Sequence, residues 1–195
     1  MYKSITLFSV LFLFLFSCGT ENKTVENSDL YFPVEKLLEQ QIDSLNKSND
    51  NWIKTVQENG KTEEKKINAK ELTWKTELAM FYDLTPNKNA YAGKFKVDTV
   101  FKEDENIITY ESENLKLAML IIRQNKDGST KAIYGDLRNQ NLFYSSYYEL
   151  SFVPNSAFMI TGRQILAFFN SKKEFSISWV KEKTDSTTTV QNEQQ

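Results

Sequence analysis

The sequence predicts an α+β domain: two helices with a hairpin between them, packed on a curved antiparallel meander of about 7–10 strands. Three observations carry this reading. Apolar residues recur on a 3.6-residue period from Val34 to Leu45 and on a two-residue period from Tyr91 onward. Short polar turns such as Asp127-Gly128 join the later apolar segments, so neighbours in sequence pair as neighbours in space. With one cysteine and no histidine the chain has neither disulfide nor zinc staple, so the fold must rest on its 40% apolar residues, 14 Phe and 9 Tyr among them.

Tyr31-Phe32-Pro33 opens the first helix, because proline suits a first turn. Val34, Leu37, Leu38, Ile42 and Leu45 then form one stripe, and the helix runs from Val34 to Lys47. Trp52 to Glu58 and Lys61 to Ile67 flank Asn59-Gly60, the pair that supplies the positive φ angles of a type I′ turn, and so make a hairpin. Asn68, with Glu71 three residues on, is a variant of the capping box. It begins a second helix whose inner face holds Trp74, Leu78, Phe81 and Tyr82, and Pro86 with Asn87 and Asn89 ends it. From there Tyr91, Phe95, Val97 and Phe101 alternate with Lys94, Lys96, Asp98 and Lys102, a strand with one buried and one wet face. Strands follow over Ile107 to Ser112, Leu115 to Arg123, Lys131 to Arg138, Leu142 to Val153, Ala157 to Phe169 with a bend at Gly162, and Phe175 to Val180. A sheet of that width curls, and the helices then cover its concave face or plug it.

The first residues carry a different signal. Lys3, the apolar run from Ile5 to Phe16 and a small residue before Cys18 describe an export signal too short to span a bilayer as a stable helix. Leu15-Phe16-Ser17-Cys18, followed by Gly19, resembles the box read by the bacterial lipoprotein pathway, in which the cysteine thiol is diacylated and becomes the mature N-terminus. The expected organisation is a lipoprotein signal peptide over 1–17, lipidated Cys18 and a polar tether over 18–30, one α+β domain over 31–182 and a disordered tail over 183–195. The expected location is the cell envelope, lipid-anchored in the outer membrane, with periplasmic and surface-facing orientations both open.

Lys and Arg number 24 against 26 Asp and Glu, and the two signs are interspersed; this leaves no basic face and argues against nucleic acid. Without histidine, and with its one cysteine in the lipidation box, the chain lacks Cys-His and Ser-His-Asp pairs and the usual zinc ligand sets, so no catalytic residue, cofactor or metal is expected. Ser44 and Lys47 have the Ser-x-x-Lys spacing that sets an amine beside a hydroxyl. The companion Ser-Asp-Asn and Lys-Thr-Gly elements are absent, however, and a lysine at a helix C-terminus suits the dipole in any case. Glu103, Asp104 and Glu105 offer hard oxygen ligands to calcium but lack a glycine-punctuated loop, so they read as a solvated turn.

Arg123 and Arg163 interrupt apolar strand stretches. Pointing inward, each needs a carboxylate or a bound anion or partner; otherwise each marks a strand end at the solvent boundary. Tyr144, Tyr147 and Tyr148 fall, with Phe143 and Phe152, on both faces of one strand, and form either core or a face for an apolar or glycan ligand. Asp185-Ser186-Thr187, in the polar tail, resembles the Asp-Ser/Thr-apolar sites that some Gram-negative bacteria O-glycosylate, with Ser186 as acceptor.

Cys18-Gly19, Tyr31-Phe32-Pro33 at a helix start, the hairpin from Lys54-Thr55-Val56 to Asn59-Gly60-Lys61, and Trp74-Lys75-Thr76-Glu77-Leu78 at the second helix together resemble lipoproteins of Bacteroidota-type envelopes, a group of no known activity. The resemblance spans most of the mature chain, implies fold and location, and brings no catalytic residues with it. The expected function is that of a lipid-anchored, non-enzymatic envelope protein, held to the membrane through Cys18 and binding an envelope protein, glycan or lipid. The alternative is a lipid- or lipoprotein-handling module with an apolar cavity between helices and curved sheet. The third is a hydrolase using Ser44 and Lys47 or paired carboxylates.

Overall fold

The computed structural model describes residues 30–167 and 171–183. Nine strands form one open antiparallel sheet: β1 (Asn51–Glu58), β2 (Lys61–Asn68), β3 (Lys96–Phe101), β4 (Glu105–Glu111), β5 (Leu117–Asn125), β6 (Thr130–Gln140), β7 (Tyr144–Val153), β8 (Ala157–Leu166) and β9 (Ser171–Lys181). Their order across the sheet is β2-β1-β9-β8-β7-β6-β5-β4-β3. From β3 to β9 this is the expected meander. The hairpin β1–β2 is more than a link between helices, since β1 pairs with β9 from Trp52↔Lys181 to Glu58↔Phe175 and widens the sheet. Its turn is built as expected, with φ of 49° at Asn59 and 80° at Gly60.

Helix α1 (Val34–Lys47) covers one face of the sheet, burying Val34, Leu38, Gln41, Ile42 and Leu45, with Leu37 half-buried. The expected second helix does not form. Residues 69–91 make a 3-10 turn at Ala69–Glu71, one α-helical turn, α2 (Trp74–Glu77), a 3-10 stretch at Ala79–Leu84 and another turn at Asn89–Tyr91. The capping box of Asn68 and Glu71 is present, but the element it caps is short, because Leu72 swings into the extended region at φ −99° and ψ 140°. After that, Leu78, Phe81 and Leu84 repeat every third residue. Three residues per turn is the 3-10 period, so this winding sets all three in one row, and each is at most 1% exposed. Trp74, Leu78 and Phe81 point inward as expected, and Tyr82 is half-buried. Among the described residues the domain is therefore sheet-dominant, with one long helix.

Rings fill the space between the layers. Trp52 stacks on Phe158 with centroids 5.2 Å apart and planes at 12°, while Trp74 meets both edge-on at 5.0 and 5.9 Å. Phe81 reaches Phe152 and Phe158, and Trp179 completes the group at 2% exposure. Close approach of the covering layer requires a glycine beneath it: a Cβ on Gly135 would sit 2.3 Å from Leu84 Cδ2.

Two further expectations change. Pairing runs through Gly162 without a register shift, so the bend is absent there. Glycine instead makes room for rings, since a Cβ at Gly162 would lie 2.5 Å from Phe175 Cζ and 3.0 Å from Tyr148 Cδ1. The strand expected from Tyr91 begins only at Lys96, and all six residues of β3 are exposed. Tyr91 sits in a 3-10 turn and packs with Phe95, Tyr31 and Tyr110 into a small aromatic cluster, but β3 is the outermost strand and leaves Val97 and Phe101 exposed, uncovered by any other described residue. The opposite edge, β2, is charged along most of its length, a common defence against unwanted strand pairing. Among the described residues, no helix is long and apolar enough to cross a membrane.

Candidate functional site

Strand alternation splits β7 between two environments. Tyr144, Ser146, Tyr148, Leu150 and Phe152 face the covering layer, whereas Ser145, Tyr147, Glu149 and Ser151 face the uncovered side. The consecutive tyrosines 147 and 148 thus point opposite ways. Tyr148 packs at the edge of the core against Phe175, with centroids 6.2 Å apart. Its hydroxyl accepts a hydrogen bond from Gln164 Nε2 at 2.7 Å and lies 3.4 Å from the Tyr144 hydroxyl. Those partners make Tyr144 and Tyr148 the packed margin of the covered face.

Tyr147 belongs to a different set. Across the uncovered face the register lines up Arg138, Tyr147, Arg163 and Glu174 in one row. The next row holds Asp136, Glu149, Thr161, Ser176 and Gln57. The Arg163 guanidinium sits over the Tyr147 ring at 5.2 Å from its centroid, within cation–π range. Tyr147, Glu149, Thr161, Arg163, Glu174 and Ser176 of these rows floor an open cleft of ≈ 680 Å³, with the Asn59-Gly60 turn at its rim and Arg138 and Asp136 just outside it in the same rows. Its electrostatics are mixed by construction. Burial and the Glu149 carboxylate directly opposite push the Asp136 carboxyl above the ordinary carboxylate range, and Arg138 only partly offsets them. The Glu174 carboxyl is held low, mainly by its hydrogen bond from Lys172 and in part by Arg163. A ring, a guanidinium group, carboxylates and hydroxyls on one open floor can meet a polar, ring-shaped ligand through stacking and several hydrogen bonds.

Arg123 has a different environment. Its guanidinium makes a bidentate pair with Glu105, 2.9 Å for both Nε–Oε2 and Nη2–Oε1, and Lys131 Nζ approaches the same carboxylate at 3.3 Å. The Glu105 side chain is 6% exposed. Burial opposes its ionisation, but the hydrogen bonds from Arg123 and Lys131 outweigh it and hold the carboxyl below the ordinary range. Arg123 therefore closes an internal network, and Glu105 is drawn out of the acidic turn that calcium would have needed. Ser44 donates to Asn155 Oδ1 at 3.3 Å, while Lys47 stands exposed in the last turn of α1. Among the described residues, no three or more His, Cys, Asp or Glu side chains are grouped to hold a metal ion. Cys18 and Ser186 lie outside the described residues.

Of the residues singled out from sequence, Tyr147 and Arg163 come together, Tyr144 and Tyr148 pair on the other face, and Arg123 stands apart. Asp136, Arg138, Glu149, Thr161 and Glu174 were not anticipated. Alternation alone places each on an outward position, but which of them share a row depends on register, and register has no local signature here. No family model matches the chain, and no curated protein or solved structure matches it.

Proposed function

We propose that this chain is a lipid-anchored, non-enzymatic protein of the cell envelope that binds a glycan in the cleft around Tyr147 and Arg163. The observation that carries the reading is the row Arg138, Tyr147, Arg163 and Glu174, an aromatic ring flanked by charged and hydrogen-bonding groups on a face that no other part of the described chain covers. Sugars are recognised by such surfaces because C–H faces stack on rings while hydroxyls exchange hydrogen bonds with planar polar groups. The anchor rests on the box Leu15-Phe16-Ser17-Cys18, and the same motif supports the resemblance to Bacteroidota-type envelope lipoproteins. The rings packed between helix and sheet favour a binding scaffold over a lipid carrier, which would need an apolar cavity there.

Cosedimentation with purified peptidoglycan sacculi tests the ligand class. Tyr147→Ala and Arg163→Ala should each weaken retention about tenfold, the equivalent of roughly 1.4 kcal/mol, while lowering the melting temperature by no more than a few degrees. Unchanged retention in both variants would overturn the cleft. Separately, Cys18→Ala should abolish incorporation of labelled palmitate, and acylation of that variant would overturn the anchor.

A further inference from the structure

One turn of the sheet stands out for the apolar side chains it projects. At one end the turns Lys102-Glu103-Asp104, Lys126-Asp127-Gly128-Ser129 and Pro154-Asn155-Ser156 are polar in themselves, and the exposed ring there, Phe101, belongs to the edge strand β3. At the other end, the β6–β7 connection Asn141-Leu142-Phe143 projects Leu142 with 76% of its surface exposed and Phe143 with 60%. Beside it Leu166, at the end of β8, is 41% exposed and pairs with Tyr144. This is a built projection. Asn141 Oδ1 accepts from the backbone N–H groups of Phe143 and Tyr144, both at 2.9 Å, and Ala167 N–H donates to Phe143 O at 3.0 Å. Large apolar side chains held outward on braced loops mark a surface that meets something apolar.

The position of the N-terminal segment indicates what that is. Tyr31 is fixed at this same end of the sheet: its ring packs on Phe95, just before β3, and on Tyr110, near the close of β4, while its hydroxyl accepts from Gly93 N–H at 2.9 Å. The described chain therefore begins at the end of the sheet that carries Leu142 and Leu166. The 13 residues from Cys18 to Leu30 span at most about 47 Å even when extended.

We propose that this end of the sheet rests on a lipid bilayer, with Leu142, Phe143 and Leu166 entering its interfacial zone as a second point of attachment beside the acylated cysteine. The inference rests on the anchor reading for the tether and on the loop geometry for the contact. A single lipid signal gives only reversible attachment, and a small apolar insertion is the kind of second contact that makes it persist. Apolar insertion carries this contact, because the neighbouring Lys172 and Lys173 are already paired with Glu174 and Glu58 at 2.7 and 2.8 Å. The contact also sets the cleft in place: Tyr147 lies three residues along β7 from Tyr144, about 10 Å from the tip, so a ligand there sits close to the headgroups.

The test uses the lipidated full chain. With native Cys18 acylated, Leu142→Cys and Asp127→Cys each take one environment-sensitive fluorophore, and the proteins are reconstituted into phosphatidylcholine vesicles with and without a doxyl-labelled lipid quencher. The expected result is blue-shifted emission and several-fold quenching at position 142, with aqueous emission and no quenching at position 127. A label at position 142 that stays aqueous overturns the contact, whether or not the protein floats with the vesicles. Insertion seen only after anionic lipid is added would also overturn it, since charge would then be the cause. If the chain proves unacylated and the 142 label still inserts on adding vesicles, the anchor reading fails and the contact stands.

Discussion

The covered and uncovered faces of this sheet are made from the same strands yet obey different rules, and the neighbouring residues Tyr147 and Tyr148 show it most directly. Tyr148 is surrounded by Phe175, Gln164 and Tyr144, and even the glycine opposite it is required for space. Tyr147 meets the Arg163 guanidinium and opens on a cleft. On the first face, shape decides which residue is tolerated; on the second, charge and hydrogen bonding decide what can be met. Substitutions should therefore separate into those that lower stability and those that change binding alone.

The largest effect belongs to the ring cluster. Trp52→Ala removes a fully buried indole that stacks on Phe158, and it should cost about 3–5 kcal/mol in chemical denaturation because the surrounding rings cannot close the cavity. A cost under 1 kcal/mol would mean that the covered face is not the core. Next comes Gly135→Ala, expected to lose roughly 1–3 kcal/mol, because the new methyl meets Leu84 where that side chain is 1% exposed and has nowhere to go. Gly162→Ala is the sharpening control: Phe175 above it is only half-buried and can swing away, so the loss should be smaller.

The smallest effects lie on the uncovered face and differ in sign. Tyr147→Ala should cost no more than about 1 kcal/mol, the scale of an exposed cation–π contact, in the same assay. Asp136→Asn should stabilise the domain at neutral pH by about 0.2–1 kcal/mol, the scale of one like-charge pair across strands, because Asp136 faces Glu149. The pH profile provides the check. With its folded pKa raised, Asp136 favours the fold in acid and loses that contribution as pH rises through the folded value, and the Asn variant should lack this trend. Glu105 behaves in the opposite sense. Its folded pKa is lowered, so its contribution is present above the ordinary carboxylate range and is lost as pH falls through the folded value. A melting temperature for Asp136→Asn below that of the parent at neutral pH would break the contrast.

Much of the sheet was legible in the sequence for local reasons. Asn59-Gly60 and Asp127-Gly128 fix turns by backbone stereochemistry, and alternation from Leu117 to Val153 follows directly from one face being covered. The second helix was misread because Trp74, Leu78 and Phe81 suit a 3.6-residue period almost as well as a threefold one. Leu84 completes the threefold row, and packing against Gly135 decides between the two. Strand β3 carries a half-buried pattern, yet burial of an edge strand depends on how far the covering layer extends, which alternation cannot encode. For the site, residue type picked out Tyr147 and Arg163, but Glu149 and Glu174 join them only through register across β7, β8 and β9.

The pairing of β1 with β9 has a consequence for how the molecule is made. Trp52 finds Lys181 almost at the far end of the domain, so the hairpin β1–β2 cannot join the sheet until the last strand has been synthesised. Until then its first strand has only the charged β2 as a neighbour, and a lone two-stranded hairpin is marginal in water. Contacts this distant in sequence slow folding, because the long loop must close before any pairing rewards it. A chain emerging N-terminus first should therefore acquire its meander from β3 to β8 as an early, locally assembled block, and lock its two termini together in a single late step. Pulsed hydrogen exchange would then show amides of β1 gaining protection after those of β5 and β6.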